Sequence, residues 1–180
     1  KPSGLLSVPG RGEAFADCMA AQVQARFADA LIVHRLDMDT SGLLLLARGK
    51  DMQRQFSDLF LHRQVDKRYV AVVHGLIAQD EGLVDLPLIT DWPNRPKQKV
   101  DHEIGKPSQT RYAVVQRDEQ AQTTRVQLEP ITGRSHQLRV HMLALGHPIV
   151  GDPLYAADTS GSARLLLHAA QLSLVHPVTG

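Results

Sequence analysis

Apolar and polar positions fall in blocks along this chain, and two apolar blocks enclose a polar nonapeptide. Ala30-Leu31-Ile32-Val33 and Leu43-Leu44-Leu45-Leu46-Ala47 are continuous apolar runs, and His34-Arg35-Leu36-Asp37-Met38-Asp39-Thr40-Ser41-Gly42 stands between them. Short apolar runs bounded by turn residues read as buried strands. Residues 30–33 and 43–47 are therefore expected to be strands entering and leaving a turn. A turn held between buried flanks can present polar groups rigidly at a surface.

The rest of the pattern is a succession of short elements. Residues 14–27 are Ala-rich and free of Gly and Pro, which predicts a helix. Met52, Phe56, Leu59 and Phe60 recur at helical spacing within a second helix, residues 50–61. Residues 68–74, with Tyr69, Val70, Val72 and Val73, read as a strand, and residues 82–86 as a shorter one. Residues 109–117 and 123–128 pair as a hairpin around Asp118-Glu119-Gln120. Residues 135–145 read as a helix, with Ser135 a candidate N-cap and Gly146 its stop. Residues 165–167 and 171–175 close the chain as strands. Residues 1–11, 91–107 and 147–155 are loops punctuated by Pro and Gly. A loop as long as 91–107 inside a compact domain is usually functional or mobile. Strands outnumber helices and hairpins recur, so the fold class is α+β with an antiparallel or mixed sheet.

Composition bounds this picture. A chain of 180 residues can bury one sizeable core or build two small lobes, and it is read as one domain over residues 1–180. The chain begins at Lys1 within a motif and is read as a piece of a longer protein. The net charge is +1, so any basic surface must be local. The single cysteine, Cys18, rules out an internal disulfide and fits a reducing compartment. No apolar run approaches the roughly 20 residues that span a bilayer, and no secretory signal is visible. A cytoplasmic protein is expected, with no membrane partner and acting as a monomer.

The nonapeptide carries an imidazole, a guanidinium, two carboxylates and two hydroxyls. An Asx- or ST-type turn accounts for Asp39, Thr40 and Ser41. It does not account for His34, Arg35 and Asp37 on the approach. Nine histidines invite a metal reading, but His136 and His141 are five apart rather than four and no cysteine pair accompanies them. No metal site and no cofactor are expected. Gly10-Arg11-Gly12-Glu13 lacks the lysine and hydroxyl of a phosphate loop. Local charge is densest in residues 91–107, where Arg95, Lys97, Lys99, His102 and Lys106 surround Trp92, a candidate stacking platform. Asp91, Asp101 and Glu103 offset part of that charge, so a plain solvated loop is the competing reading. Arg134 and His136, at a helix start, suit phosphate.

His34 to Gly42, followed by an apolar run, resembles the catalytic motif of RNA pseudouridine synthases of the RluA family. Lys1-Pro2-Ser3-Gly4-Leu5 resembles the N-terminal motif of that family. Lys67-Arg68-Tyr69-Val70-Ala71 resembles its tyrosine motif, and Gly133-Arg134-Ser135-His136-Gln137-Leu138-Arg139-Val140-His141 its third catalytic motif. Asp91-Trp92-Pro93-Asn94-Arg95-Pro96-Lys97-Gln98-Lys99 is more specific. It resembles the dual-specificity members, which modify large-subunit ribosomal RNA and transfer RNA. The motifs occur in family order over nearly the whole chain.

The resemblance implies a bifurcated mixed sheet with flanking helices and a central cleft. It implies a cofactor-free isomerase acting on uridines in RNA hairpin loops. Asp37 is then the carboxylate that works as nucleophile or base beside the ribose. Tyr69 lies by the target uracil, where its ring can stack and its phenol can assist loss of the C5 proton. Arg139 pairs with the catalytic aspartate, and a planar fork suits a carboxylate. Arg35 fills the gap left by the flipped base, His34 supports the loop beside the RNA, and Leu138 packs at the site. Arg95, Lys97, Lys99 and Arg134 contact the RNA backbone. Asp39 is assigned to the turn. Two rival classes are a non-catalytic RNA-binding or RNA-chaperone module of the same fold and a metal-dependent hydrolase. The presence of Asp37, Tyr69 and Arg139 favours the enzyme over the first, and turnover in excess chelator separates the second.

Overall fold

A computed structural model describes residues 1–180 apart from 11, 13–15, 158 and 160. The chain folds as two compact units, one of Lys1–Lys67 with Ala169–Gly180 and one of Arg68–His168.

In the first unit, helix α1 (Met19–Gln24) leads to strand β1 (Ala30–Ile32), strand β2 (Ser41–Gly42), strand β3 (Leu46–Arg48) and helix α2 (Gly49–Leu61). The two predicted strands around the nonapeptide form, but the second begins later than expected. β1 and β3 pair antiparallel, with Ala30 opposite Arg48 and Ile32 opposite Leu46. Leu43 instead donates its N–H to Ala169 O at 2.9 Å, which takes residues 43–45 out of the β1 ladder. Gly42, at φ +118°, lies so close to the Ala169 backbone that a Cβ there would overlap it.

The first predicted helix is also shorter than expected. Its proposed start at residues 14 and 15 lies outside the described residues. Met19 and Ala20 donate their N–H groups to Leu6 O and Ser7 O, and the Cys18 sulfur caps Ala21 N at 3.4 Å. Those bonds fix the helix start at Met19. α2 agrees with its periodicity: Phe56 is buried, and Met52, Leu59 and Phe60 are half-buried beside it.

The second unit is built on antiparallel strands. β4 (Asp66–His74) carries the chain into it, followed by β5 (Glu81–Asp85), β6 (Leu88–Thr90), β7 (Gln98–Val100), β8 (Gln109–Asp118) and β9 (Thr123–Pro130). Tyr69 faces Leu128 across β4–β9, Tyr112 faces Leu128 across β8–β9, and Val84 faces Thr110 across β5–β8. The strands therefore run in the order β4-β9-β8-β5. Alternate residues Thr124, Val126 and Leu128 are fully buried, as the two-residue period of a strand requires. Helix α3 (Gln137–Ala144) supplies Leu138 and Met142 to the core formed with Ala71, Val73, Val126 and Leu128. Strand β10 (Leu167–Ser173) returns the chain. It is one strand where two shorter ones, 165–167 and 171–175, were expected.

α3 starts at Gln137, not at Ser135, and its N-cap is His136 in the left-handed region at φ 52°. The Gln137 side chain sets this start. Its Oε1 accepts from Thr132 Oγ1 and Arg134 N, while its Nε2 donates to Gln109 O and Thr110 Oγ1. Residues 91–107 are not one structureless loop. They hold a 3-10 turn, Trp92–Asn94, and strand β7, which pairs antiparallel with β6.

Candidate active site

The nonapeptide is held by the first residues of the chain, and mostly by its backbone carbonyls. Lys1 Nζ donates to Met38 O at 2.7 Å, Leu5 O at 2.6 Å and Pro2 O at 2.9 Å. Ser3 Oγ donates to Asp39 O at 2.6 Å and Gly4 N to Met38 O at 3.0 Å. Buried Ser7 exchanges two bonds with Leu36, donating to its carbonyl at 2.7 Å and accepting from its N–H at 3.0 Å. Thr40, 2% exposed, closes the turn by donating its N–H to Asp37 O. The backbone on both sides of Asp37 is thus anchored, which restricts where its half-buried carboxylate can go.

The Lys1 ammonium stands in the field of two carboxylates. Burial lowers its pKa, and the charges of Asp39 and Asp37 act in the opposite direction. In the sequence Lys1 signals no more than the opening of a motif. The structure makes it a main support of the loop.

His34 is part of the same scaffold. Its Nε2 accepts the Leu45 N–H at 2.9 Å, and its ring stacks on Phe60. Desolvation, with the nearby Lys67 charge, pushes its pKa down to about 4. A neutral, stacked imidazole of this kind supports the loop rather than carrying protons. Arg35, next to it, is exposed.

In the second unit, Tyr69 is half-buried on β4 and packs against the cluster that contains Leu138. Arg139 is 2% exposed, so it is not a solvated helix residue. Its Nε and Nη2 donate to Asp152 at 2.8 and 2.6 Å, a side-on fork with a carboxylate that is itself fully buried. Asp152 was missed. It lies in a stretch, Gly151-Asp152-Pro153-Leu154-Tyr155, whose sequence signals little more than a turn.

The basic segment is ordered by its own contacts. The Arg95 guanidinium lies 4.6 Å from the centre of the Trp92 ring, and Trp92 is 68% exposed. Lys99 Nζ is 3.6 Å from Asp101. Asp101 in turn accepts the N–H groups of Ile104 and Glu103, which hold its carboxyl below the usual range. Lys97 is half-buried, and exposed Arg134 bonds Pro107 O at 3.4 Å. Among the described residues, no group of three or more His, Cys, Asp and Glu side chains is placed to hold a metal ion. None of the described helices is long and apolar enough to cross a membrane.

A family model described as RNA pseudouridylate synthase matches residues 1–144. The chain belongs to that family. As a pseudouridine synthase it is 56% identical, over 100% of its length, to a protein of Yersinia pestis named dual-specificity RNA pseudouridine synthase RluA, covering 88% of that protein. It is equally identical to the protein of that name from Escherichia coli, covering 83% of it. Among solved structures, human RNA pseudouridylate synthase domain containing 1 matches with a TM-score of 0.78 at 32% identity, over 89% of this chain and 70% of that one. Human RNA pseudouridylate synthase domain containing 4 matches at 0.75 and 29%, over 97% and 78%. The expected α+β pseudouridine synthase fold is the one found. The synthase motifs are divided between the units: Lys1, His34, Arg35 and Asp37 in the first, Tyr69, Arg95, Lys97, Lys99, Arg134, Leu138 and Arg139 in the second.

Proposed function

We propose that this chain isomerises specific uridines to pseudouridine in hairpin loops of large-subunit ribosomal RNA and of transfer RNA. The observation that carries the reading is 56% identity over the whole chain to proteins named as dual-specificity synthases. Residues 1–180 act as a single catalytic domain, as a monomer, in the cytoplasm where those RNAs reside.

The target base is first turned out of its stack, with Arg35 taking its place. Asp37 then acts at the nucleoside as nucleophile or base. The C1′–N1 bond breaks, the uracil rotates, a C1′–C5 bond forms, and the proton on C5 is lost while N1 gains one. Atoms and electrons balance within the nucleotide, so the isomerisation consumes no redox partner and no energy source. Tyr69 stacks on the uracil and assists loss of the C5 proton. Arg139 supplies the cation that keeps a carboxylate ionised in a partly dry site. Arg95, Lys97, Lys99 and Arg134 bind phosphate, His34 supports the loop that carries Asp37, Leu138 packs beside Tyr69, and Asp39 stays in the turn.

Single-turnover release of tritium from C5-labelled uridine in a substrate hairpin tests this. Asp37→Asn keeps the size of the side chain and removes its nucleophilicity. It should abolish release while RNA affinity, which comes mainly from backbone contacts, stays near wild type. Asp39→Asn should be mild. Release at the wild-type rate by Asp37→Asn would refute the assignment.

A further inference from the structure

The Arg139 guanidinium is held by a carboxylate and packs over an aromatic ring. Asp152 takes the edge through the two bonds described above. Arg139 Cζ lies over the Tyr155 ring, 5.1 Å from its centre. Both partners are themselves pinned. Asp152 Oδ1 also accepts the N–H groups of Leu154 at 2.9 Å and Tyr155 at 3.2 Å. The Tyr155 hydroxyl accepts the Gln98 N–H at 2.7 Å and lies 2.8 Å from His136 Nδ1. His136 is the left-handed cap of the helix that carries Arg139.

A buried ion pair contributes little net stability, because desolvation of both charges offsets their attraction. Its clearest effect is geometric. An arginine side chain has several rotatable bonds, and a two-point contact with a buried carboxylate removes nearly all that freedom. An aromatic ring beneath Arg139 Cζ restricts it further. We propose that Asp152 and Tyr155 are positioning residues for Arg139: they fix the plane and direction of its guanidinium before RNA arrives. The inference rests on the role given to Arg139 above. It also assigns the Asp152–Tyr155 turn to catalysis, not merely to the fold.

The test is single-turnover tritium release at saturating RNA hairpin, with RNA affinity and thermal unfolding measured on the same proteins. Asp152→Asn keeps an acceptor but loses the charge that holds the fork. Tyr155→Leu removes the ring and leaves the ion pair. Asp152→Asn should lower the saturating rate by about 100-fold, the cost of a small misplacement of a reacting group. Tyr155→Leu should lower it less. Asp152→Asn should leave RNA affinity unchanged, and Tyr155→Leu, which also loses the bond to Gln98 N, is compared by its rate at saturating RNA. In an Arg139→Met background, neither substitution should lower the residual rate further, because residues acting through one group are not additive.

A wild-type rate for Asp152→Asn, or the same fold loss with and without Arg139, overturns the proposal. If Asp152→Asn does not fold, Tyr155→Leu carries the same comparison. A wild-type rate for Arg139→Met would refute the role of Arg139 itself. Loss of activity in Arg139→Met but not in Asp152→Asn or Tyr155→Leu would refute the positioning alone.

Discussion

His34 and Phe60 lie face to face, with ring centroids 4.4 Å apart and 18° between their planes. That stack, with the Leu45 N–H on Nε2, requires a neutral imidazole. The folded pKa of about 4 lies below the ordinary value of 6.5. Above the ordinary value both states are neutral and His34 contributes nothing to pH dependence. As pH falls between the two values, the unfolded chain takes up a proton that the folded chain refuses, so stability declines. The full loss is on the order of 3 kcal/mol, and below the folded pKa it levels off. Denaturant titrations of wild type and His34→Gln across this range should differ in slope, wild type falling more steeply with acid. Equal slopes would show that the imidazole titrates normally.

Gly42 is a position where only glycine fits, because its φ is positive and the Ala169 backbone occupies the space of a Cβ. Gly42→Ala should destabilise the protein by about 2–4 kcal/mol, lowering Tm by roughly 5–12 °C for a chain of this size. Calorimetry checks this. The substitution should also slow turnover, because Gly42 ends the loop that carries Asp37.

Lys1 joins three carbonyls, Pro2 O, Leu5 O and Met38 O, in one ammonium cluster. Lys1→Met keeps the aliphatic stem and removes those bonds. A loss of about 1.5–3 kcal/mol is expected for hydrogen bonds from a charged donor. The single-turnover rate should fall more than RNA affinity does, since what loosens is the backbone around Asp37. A fall in affinity alone would place Lys1 against RNA instead.

The basic segment makes a salt-dependence prediction. If Arg95, Lys97 and Lys99 each neutralise a phosphate, every neutral substitution should reduce the slope of log affinity against log salt by about 0.7–0.9. Lys99 already faces Asp101, so Lys99→Gln should show the smallest change. An unchanged slope in the triple variant would make the segment a solvated surface.

Arg35 is exposed. Arg35→Ala should leave Tm unchanged and weaken base extrusion, read with a fluorescent base analogue at the target position. The defect should shrink when the target is already unstacked, because extrusion then costs less. An equal defect on stacked and unstacked targets would indicate general phosphate binding.

What the sequence determined by itself was local. Strict periodicity placed α2, β4 and the β8–β9 hairpin near their observed bounds, because those elements each bury one regular face. The polar nonapeptide stood out because its flanks are apolar, whereas Asp37, Tyr69 and Arg139 were singled out only by the resemblance of their motifs to a known family. Tertiary structure decided the rest, where a side chain or backbone group is claimed by a distant partner. α1 begins at Met19 because Leu6 and Ser7 take the N–H bonds of its first turn. α3 begins at Gln137 because that side chain bonds to Gln109, Thr110 and Thr132 as well as to Arg134. Residues 98–100 become β7 because Leu88–Thr90 offers them a partner edge. The grip of Asp152 on Arg139 spans 13 residues across a turn, and the hold of Lys1 on Met38 spans 37. Periodicity records which face of an element is buried, but it carries no information about which distant group will satisfy a buried charge, and that choice is made only when the chain folds.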